Sequence, residues 1–291
     1  MTELQQRNCV GVLGATSFVG QSLLPLLTSA NFHVSAFSRK PVRQNQLYVN
    51  WVQLLHSPPE PSHGISSWVC VAPIWVLTEY LPWIKSLGAR RVVVISSTSR
   101  FTRTDSSDLS EQSLANHVAE SELQFIEWAQ ASGIEWTILR PTLIYGLGLD
   151  KNICEIARFI RRFAFFPLFG RANGLRQPVH VQDLAKACIA ALSSATPNRA
   201  YNLSGGETLS YREMVMRIFK ALGRPPRLLS VPLPIFRMAV AFMRCLPSYR
   251  KWTPAMAERM NRNMVFDHTD AKNDLGFAPR LFVLTPKDLP R

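Results

Sequence analysis

The stretch Cys9-Val-Gly-Val-Leu-Gly-Ala-Thr-Ser-Phe-Val-Gly20 decides the fold of this chain. An apolar run leads into a turn of small residues, and an apolar helical pattern begins at Gln21. This order predicts a strand, a loop and a helix, in which Gly14 makes the sharp turn and Gly20 lets the helix lie close to the strand. The N–H groups that open such a helix can bind a pyrophosphate. Dinucleotide binding is therefore the leading hypothesis, and a tight turn in some other doubly wound protein is the alternative.

The loop departs from the usual dinucleotide fingerprint at one position. Ser17 stands where a middle glycine normally lets the backbone approach a phosphate most closely. We therefore expect a looser fit to the pyrophosphate than in a standard loop. The predicted pyrophosphate-binding residues are Gly14, Ala15, Thr16, Ser17, Phe18, Val19 and Gly20.

The composition is that of a globular protein with a large core. The chain has 291 residues, of which 47% are hydrophobic and 18% are charged. Its five cysteines have no paired spacing, which predicts small core residues and no disulfide framework or metal site. The polar segment Met1–Arg7 lacks the order of a signal peptide, so we expect a cytoplasmic protein.

The positive charge is concentrated in the second half of the chain. Residues 1–150 hold ten Lys and Arg against eleven Asp and Glu, whereas residues 151–291 hold 23 against nine. This asymmetry indicates an anionic partner, which could be a phosphorylated substrate or a membrane surface. Nucleic acid is not favoured, because the charges are dispersed among apolar helices without a recognisable binding module.

The end of the second predicted strand bears on the choice of cofactor. The run Phe32–Phe37 alternates like a strand and is followed by Ser38, Arg39 and Lys40. In dinucleotide folds an acidic residue here receives the ribose hydroxyl of NAD, whereas a basic residue accommodates the extra phosphate of NADP. These residues favour NADP over NAD. The alternative is a pair of exposed loop cations.

The rest of the chain alternates strands and helices up to Gly148. We predict strands at 47–53, 68–72, 90–97 and 135–141, and helices at 78–87 and 113–131. Such alternation predicts an α/β protein with a Rossmann-type doubly wound parallel sheet. A short strand at 177 entering a helix capped by Asp183, and a last strand at 199–204, return to that sheet. We therefore divide the chain into an NAD(P)-binding domain, 1–148 plus 177–206, and a smaller, discontinuous, basic substrate lobe, 149–176 plus 207–291.

Five segments in this order carry a family resemblance. They are Gly14–Gly20, Ile95-Ser-Ser-Thr-Ser99, Leu139-Arg-Pro-Thr-Leu-Ile-Tyr-Gly146, Pro178-Val-His-Val-Gln-Asp-Leu-Ala185 and Tyr201-Asn-Leu-Ser-Gly-Gly206. Over nearly its whole length the chain resembles the extended short-chain dehydrogenase/reductase superfamily, in its NAD-dependent epimerase/dehydratase group, which acts largely on nucleotide sugars. The resemblance strongly indicates the fold and much more weakly an activity.

The resemblance implies roles for individual residues. Arg39 would contact the 2′-phosphate, and Thr98 would hydrogen-bond the reacting oxygen of the substrate. Arg176 would clamp the diphosphate of a nucleotide sugar, since a guanidinium can bind two phosphate oxygens at once. An exposed cation before a strand is the alternative for Arg176, and Arg227 is a second candidate for a substrate phosphate. The nicotinamide ribose and ring would lie at Ala72, Pro73, Pro141 and Thr142.

The sequence departs from the family in the helix at 113–131, which normally carries Tyr-x-x-x-Lys. Alignment on Gly133 and Arg140 places Leu114 at the tyrosine position and Val118 at the lysine position, and neither side chain can transfer a proton. A register shifted by one residue gives Ser113 and His117, so His117 is a candidate base or an ordinary exposed histidine. Tyr145 is a second candidate acid, or a structural tyrosine.

The sequence thus leaves three functions open. The first is hydride transfer by NADP on a nucleotide-sugar-like carbonyl or carbinol, and the second is a non-catalytic NADP sensor or assembly subunit. The third is a membrane-surface reductase of a lipid-linked substrate, suggested by three basic amphipathic segments. These segments are 153–166 with Arg158, Arg161 and Arg162, 211–222 with Arg212, Arg217 and Lys220, and 234–246 with Arg237 and Arg244. Core-facing helices are the alternative explanation for all three.

Overall fold

The computed structural model describes residues 9–42, 46–54, 64–102, 106–234, 236 and 254–290. Most of the third basic segment predicted above, including Arg237 and Arg244, lies outside these residues. The strands are β1 Cys9–Leu13, β2 His33–Ser38, β3 Val49–Gln53, β4 Ser67–Cys70, β5 Arg91–Ile95, β6 Glu135–Pro141, β7 Ile144–Tyr145, β8 Phe166–Phe169, β9 Leu175–Arg176, β10 Val179–His180, β11 Arg199–Leu203, β12 Leu209–Ser210 and β13 Leu228–Val231.

The helices alternate with the strands through the first part of the chain and cluster in the second. They are α1 Phe18–Ser29, α2 Ile74–Thr78, α3 Leu81–Ser86, α4 Ser99–Thr102, α5 Leu109–Ser132, α6 Ile153–Phe163, α7 Val181–Leu192, α8 Tyr211–Ala221, α9 Pro254–Asn261 and α10 Thr269–Leu275, followed by a 3-10 turn at Pro286–Asp288.

A parallel sheet forms the centre of the molecule. Within the described residues seven strands pair in the order β11-β6-β5-β4-β1-β2-β3, and every pairing is parallel. The chain moves outward from β1 to β3 and then returns to β4 on the other side of β1. In doubly wound sheets ligands bind where the strand order reverses in this way, outside the carboxyl ends of the strands. The Rossmann-type α/β fold predicted from the sequence is confirmed.

Local sequence explains where the elements begin and end. Asp108 caps α5 by accepting from Ser110 N, and Gly133 ends the helix in the left-handed conformation at φ 64°. The helix predicted at 78–87 is wrong as one element, because α2 ends at Thr78 and Pro82 lies in the first turn of α3, where a proline is tolerated. The predicted cap at Asp183 is also wrong. His180 caps α7 through its own side chain, while Asp183 lies in the first turn and pairs with Arg280.

Buried apolar residues form separate clusters. Two of them cover the faces of the large sheet, with Val10, Val12 and Leu23 in one and Phe37, Trp68 and Val94 in the other. A third cluster joins α6, β8, α8 and α9, with Ile156 and Phe219 among its members. This separate core fits a smaller lobe beside the sheet domain, but the bounds 1–148 plus 177–206 and 149–176 plus 207–291 stay a prediction. Tyr145 packs in the third cluster, and Ala271 and Phe277 pack in the first.

Candidate cofactor and substrate site

The loop between β1 and α1 packs closely against Ala72, which follows the neighbouring strand β4. Gly14 has φ +82°, and a Cβ added there would lie 2.6 Å from the backbone nitrogen of Ala72. A Cβ on Gly20 would lie 2.3 Å from the carbonyl oxygen of Ala15. Backbone atoms cannot move aside cheaply, so both positions require glycine. The tight turn and the close packing predicted for this loop are therefore present.

Ser17 connects this loop to both of its neighbours. Its hydroxyl accepts from Gly20 N at 3.1 Å and donates to the carbonyl of Val71 at 3.3 Å, which makes it the N-cap of α1. Its backbone, at φ −66° and ψ 164°, is unstrained for any residue. The Ser17 hydroxyl thus accepts the hydrogen bond of the Gly20 N–H group, which could otherwise donate to a phosphate.

Two other N–H groups at the start of α1 fit an anionic group. Those of Phe18 and Val19 have no acceptor among the described residues, and they belong to the positive end of a helix of 12 residues. Together with the glycine-lined turn, they make the loop suitable for a dinucleotide pyrophosphate.

The end of β2 lies beside this loop. Ser38 is buried, and its hydroxyl accepts from Lys40 N at 3.2 Å, which holds the chain where it leaves the strand. The side chains of Arg39 and Lys40 are exposed, and neither forms an ion pair with a carboxylate in the described part of the chain. These two cations therefore stand at the sheet edge next to the pyrophosphate loop.

The predicted groups after β4, β5 and β6 share one edge of the sheet. The N–H and the hydroxyl of Thr98 both donate to the carbonyl of Pro141 at 3.1 Å, and Thr142 N donates to Leu203 O at 3.0 Å. The hydroxyl of Thr142 also donates to Gln177 O. Ala72 and Pro73 follow β4 at the same edge, where Ala72 faces Gly14. The Thr98 hydroxyl already donates its proton to the carbonyl of Pro141. Its oxygen can still accept a hydrogen bond, but the hydroxyl must release Pro141 before it can donate to another group.

Of the two candidate proton donors, Tyr145 lies in the core of the smaller lobe. Its side chain is fully buried, with ring centroids 5.1 Å from His180 and 4.8 Å from Phe282. Burial, and to a smaller extent the charge of Asp288, raises the pKa of the Tyr145 phenol far above its usual range. This environment is that of a structural tyrosine.

His117 is placed differently, on the exposed side of α5. Its imidazole stacks on Trp75, with centroids 5.2 Å apart and an angle of 25° between the rings. Trp75 lies in the first turn of α2, directly after the end of β4, so the stack brings His117 to the strand that borders the pyrophosphate loop. A polar cavity of about 480 Å³ opens beside it, lined by Leu109, Gln112, Ser113, Asn116, His117 and Glu120.

Leu114 and Val118 do not provide a proton donor. Leu114 is 36% exposed, whereas Val118 is buried in the core beneath the sheet. One turn further along α5, Glu122 is completely buried and accepts from Ser96 Oγ at 2.5 Å, from Arg140 Nη2 at 2.6 Å and from Arg100. Burial lowers the pKa values of both guanidinium groups. This ionic cluster fixes the start of α4 and the ends of β5 and β6, directly behind the edge that carries Thr98.

The Glu122 cluster was not predicted from the sequence. The available signals were a glutamate four residues after Val118, on the predicted inner side of a helix, and an arginine within an apolar strand. Neither signal identifies its partner, because α4, α5 and β6 meet only in the folded protein.

Arg176 and Arg227 are not placed alike. Arg176 is 4% exposed, and its guanidinium donates to Leu175 O and Arg262 O at 2.7 Å each and to Arg259 O, while lying 5.6 Å from the Tyr211 ring. Burial lowers the pKa of Arg176 to about 10. Arg227 is exposed, and its carbonyl accepts from Phe166 N at the start of β13.

A larger cavity lies where β8 and β13 end. It has a volume of about 740 Å³ and is lined by Gly170, Arg171, Asn173, Ser230, Val231, Pro232, Leu233, Pro234 and Asn261. Ala172 and Asn173 lead from this cavity towards β9, which carries Arg176. Among the described residues, no group of three or more His, Cys, Asp and Glu is placed to hold a metal ion. No helix there is both long and apolar enough to cross a membrane.

Comparisons with known proteins find a matching family and proteins of similar sequence. Residues 77–204 match the NAD dependent epimerase/dehydratase family. UDP-glucose 4-epimerase of Vibrio cholerae is 25% identical over 178 residues, which are 61% of this chain and 52% of that protein. NAD(P)H azoreductase of Xenophilus azovorans is 24% identical, with 80% of each chain covered. The matched part of the chain spans about half the length of the first curated relatives.

The fold is shared with a solved structure, MoeE5 in complex with UDP-glucose and NAD. The TM-score is 0.68 at 21% identity, over 94% of this chain and 93% of that one. The match over residues 77–204 and the shared fold confirm the resemblance to the NAD-dependent epimerase/dehydratase family that the sequence motifs indicate.

Proposed function

We propose that this chain binds NADP at the edge formed by the Gly14–Gly20 loop and the end of β2. The supporting observation is the position of Arg39 and Lys40, which are exposed beside the loop and have no carboxylate partner in the described residues. The pyrophosphate would lie on the N–H groups of Phe18 and Val19. Arg39 and Lys40 would hold the 2′-phosphate, an interaction that NAD cannot make.

The remaining cofactor contacts follow from the same edge. Ala72 and Pro73 after β4, and Pro141 and Thr142 after β6, would border the nicotinamide ribose and ring. Bound there, the reduced cofactor NADPH would supply a hydride to a carbonyl carbon, and the oxidised cofactor NADP would accept one from a carbinol carbon. No lysine stands at Val118 to contact the ribose, so the affinity for the cofactor depends more strongly on the loop and on Arg39.

The protein's own contribution to the reaction is orientation and, at one residue, proton transfer. The Thr98 hydroxyl would accept a hydrogen bond from the reacting oxygen of the substrate when that oxygen carries a proton. To donate to the reacting oxygen, it would first have to leave the carbonyl of Pro141. His117 is the better placed of the two candidate bases, since Tyr145 is enclosed in the core of the smaller lobe. Reduction of a carbonyl needs one hydride and one proton, and His117, water or the substrate would supply the proton. General acid–base catalysis contributes about 10²- to 10⁴-fold, so a slow enzyme is expected without Tyr-x-x-x-Lys.

The substrate class in this proposal is a nucleotide sugar or a similar anionic molecule. The cavity at the ends of β8 and β13 has room for such a group, and Arg171 stands at its wall. Arg176 would bind a diphosphate by exchanging the backbone carbonyls that it now contacts for phosphate oxygens. The basic composition of residues 151–291 supports an anionic ligand.

A second candidate is a protein that binds NADP without catalysis. The observations in its favour are the apolar side chains of Leu114 and Val118 and the enclosure of Tyr145. The two candidates differ in whether a hydride ever leaves the cofactor, although both require binding at the loop.

Deuterium transfer separates these candidates. NADPH labelled at the transferable position is incubated with the full chain and a set of UDP- and dTDP-linked keto sugars, and the sugars are analysed by mass spectrometry. The enzyme proposal predicts deuterium in at least one reduced sugar, with a rate that falls in His117→Gln while NADPH affinity is retained. Binding of NADPH without transfer to any sugar would favour the non-catalytic candidate.

A further inference from the structure

The outer face of α6 carries arginines and one exposed aromatic side chain, Phe163. Its inner face, with Ile153, Ile156 and Ile160, is buried in the core of the smaller lobe. The outer face presents Arg158 and Arg162, and the helix ends at Phe163, which is 47% exposed. We call the α6 patch the set Arg158, Arg162, Phe163, Phe165 and Arg227.

The aromatic side chains of the patch form one group. The Phe163 ring is 4.7 Å from that of Phe159 and 6.4 Å from that of Phe165. The guanidinium of Arg162 lies 5.2 Å from the centre of the Phe163 ring. Leu229, 55% exposed, lies on β13, which begins directly after Arg227. The Arg162 cation therefore stands beside the Phe163 ring, which is half-exposed to water.

Neighbouring arginines with structural roles provide a contrast. Arg161 donates to Pro290 O, and Arg224 donates to Ile160 O and Arg161 O at the carboxyl end of α6. In the described part of the chain, Arg158, Arg162 and Arg227 form no ion pair with a carboxylate. These three charges are available to an anionic partner.

The patch is separate from the candidate substrate cavity. It lies where β8 and β13 begin, at Phe166 and Leu228, whereas the cavity lies beyond their other ends, at Gly170 and Val231. The three arginines are not among the residues that line that cavity.

We propose that the α6 patch docks the protein on the surface of a membrane that contains anionic lipids. Arg158, Arg162 and Arg227 would contact phosphate headgroups, and Phe163 and Phe165 would enter the boundary between the headgroups and the acyl chains. Charge alone would suit any polyanion, but a half-exposed phenylalanine, Phe163, among the charges matches a surface that is anionic outside and apolar just beneath. The proposal does not depend on the cofactor bound at the sheet.

Vesicle sedimentation of the full chain tests this proposal. Vesicles of phosphatidylcholine alone are compared with vesicles that also contain phosphatidylglycerol, at low and at near-physiological salt. We expect binding to the anionic vesicles that weakens as salt increases, because screening shortens the range of the attraction. The double variant Arg158→Gln/Arg162→Gln should lower the partition coefficient by about 25-fold, at about fivefold per arginine.

Matched variants identify the surface. Phe163→Ser should also weaken binding to the anionic vesicles, whereas Lys85→Gln/Arg90→Gln, which removes two exposed cations from the sheet domain, should leave it unchanged. Circular dichroism melting confirms that each variant is folded. Binding to neither type of vesicle, equal losses in the two double variants, or complete displacement of the anionic vesicles by RNA would overturn the proposal.

Discussion

Replacing Ser17 with glycine should strengthen cofactor binding while weakening the fold slightly. The Ser17 hydroxyl now accepts from Gly20 N at 3.1 Å and donates to Val71 O at 3.3 Å. In Ser17→Gly the Gly20 N–H loses that acceptor and becomes available to a phosphate oxygen. A hydrogen bond to a charged group contributes about 1.5–3 kcal/mol, part of which is offset by ordering the more flexible loop. We therefore expect the NADPH dissociation constant to fall about tenfold.

The same substitution has a predictable effect on stability. A glycine at the N-cap costs a few tenths of a kcal/mol relative to serine, and losing the bond to Val71 adds about 1 kcal/mol. Calorimetric titration measures the affinity, and urea unfolding without nucleotide measures the stability. Ser17→Ala is the matched control, because it frees the Gly20 N–H but keeps a Cβ where the phosphate would approach, so it should gain less affinity. An NADPH dissociation constant that rises in Ser17→Gly would refute this account of the loop.

Three further predictions concern charged residues. Arg39→Ala should weaken NADPH binding about 10- to 100-fold in calorimetric titration and leave NADH binding nearly unchanged. Equal losses of affinity for both nucleotides would contradict the assignment of Arg39 to the 2′-phosphate. Glu122→Gln should lower the free energy of unfolding, measured in urea, by about 2–4 kcal/mol, because it leaves Arg100 and Arg140 without their buried counter-charge. A loss below about 1 kcal/mol would show that the cluster does not stabilise the fold. Burial opposes ionisation of Asp288, but hydrogen bonds from His180 and Thr285 outweigh burial and hold the carboxyl pKa well below its usual range. The ionised carboxylate should therefore stabilise the fold above about pH 4, and this stabilisation should be lost as the pH falls further. Melting temperatures measured from neutral pH downward should therefore drop less steeply in Asp288→Asn than in the unmodified protein, and parallel curves would contradict this assignment.

Local sequence predicted the strands of the seven-stranded sheet. Its central strands β1, β4, β5 and β6 are short, largely apolar runs, and Glu135–Pro141 was predicted to the residue. The expectation that the short strand at 177 returns to this sheet was wrong, because β10 pairs with β7 in a separate two-stranded sheet. The carboxyl ends of parallel strands meet at one edge, so the shared location of Gly14, Ala72, Thr98 and Thr142 also follows from the order of the elements. These inferences depend on contacts between segments close in sequence or on the general geometry of the fold.

Contacts between distant segments could not be predicted in this way. Arg176 is recognisable as an arginine before a strand, but its burial depends on the carbonyls of Arg259 and Arg262, which come from another part of the smaller lobe. Similarly, the spacing of Tyr145 could not reveal that Phe282 would cover it. Ser17 is an intermediate case, because serine is a common N-cap but its bond to Val71 requires the packing of β1 against β4.

The central claim is that the sheet edge at Gly14–Gly20 binds a dinucleotide and prefers NADP. Its most direct test is calorimetric titration of the full, unmodified chain with NADPH and with NADH under identical conditions. We expect one site per chain for NADPH, with a dissociation constant at least about tenfold lower than for NADH, as for one additional charge-assisted contact. Failure to bind either nucleotide would contradict the claim, and tighter binding of NADH would contradict the role given to Arg39 and Lys40.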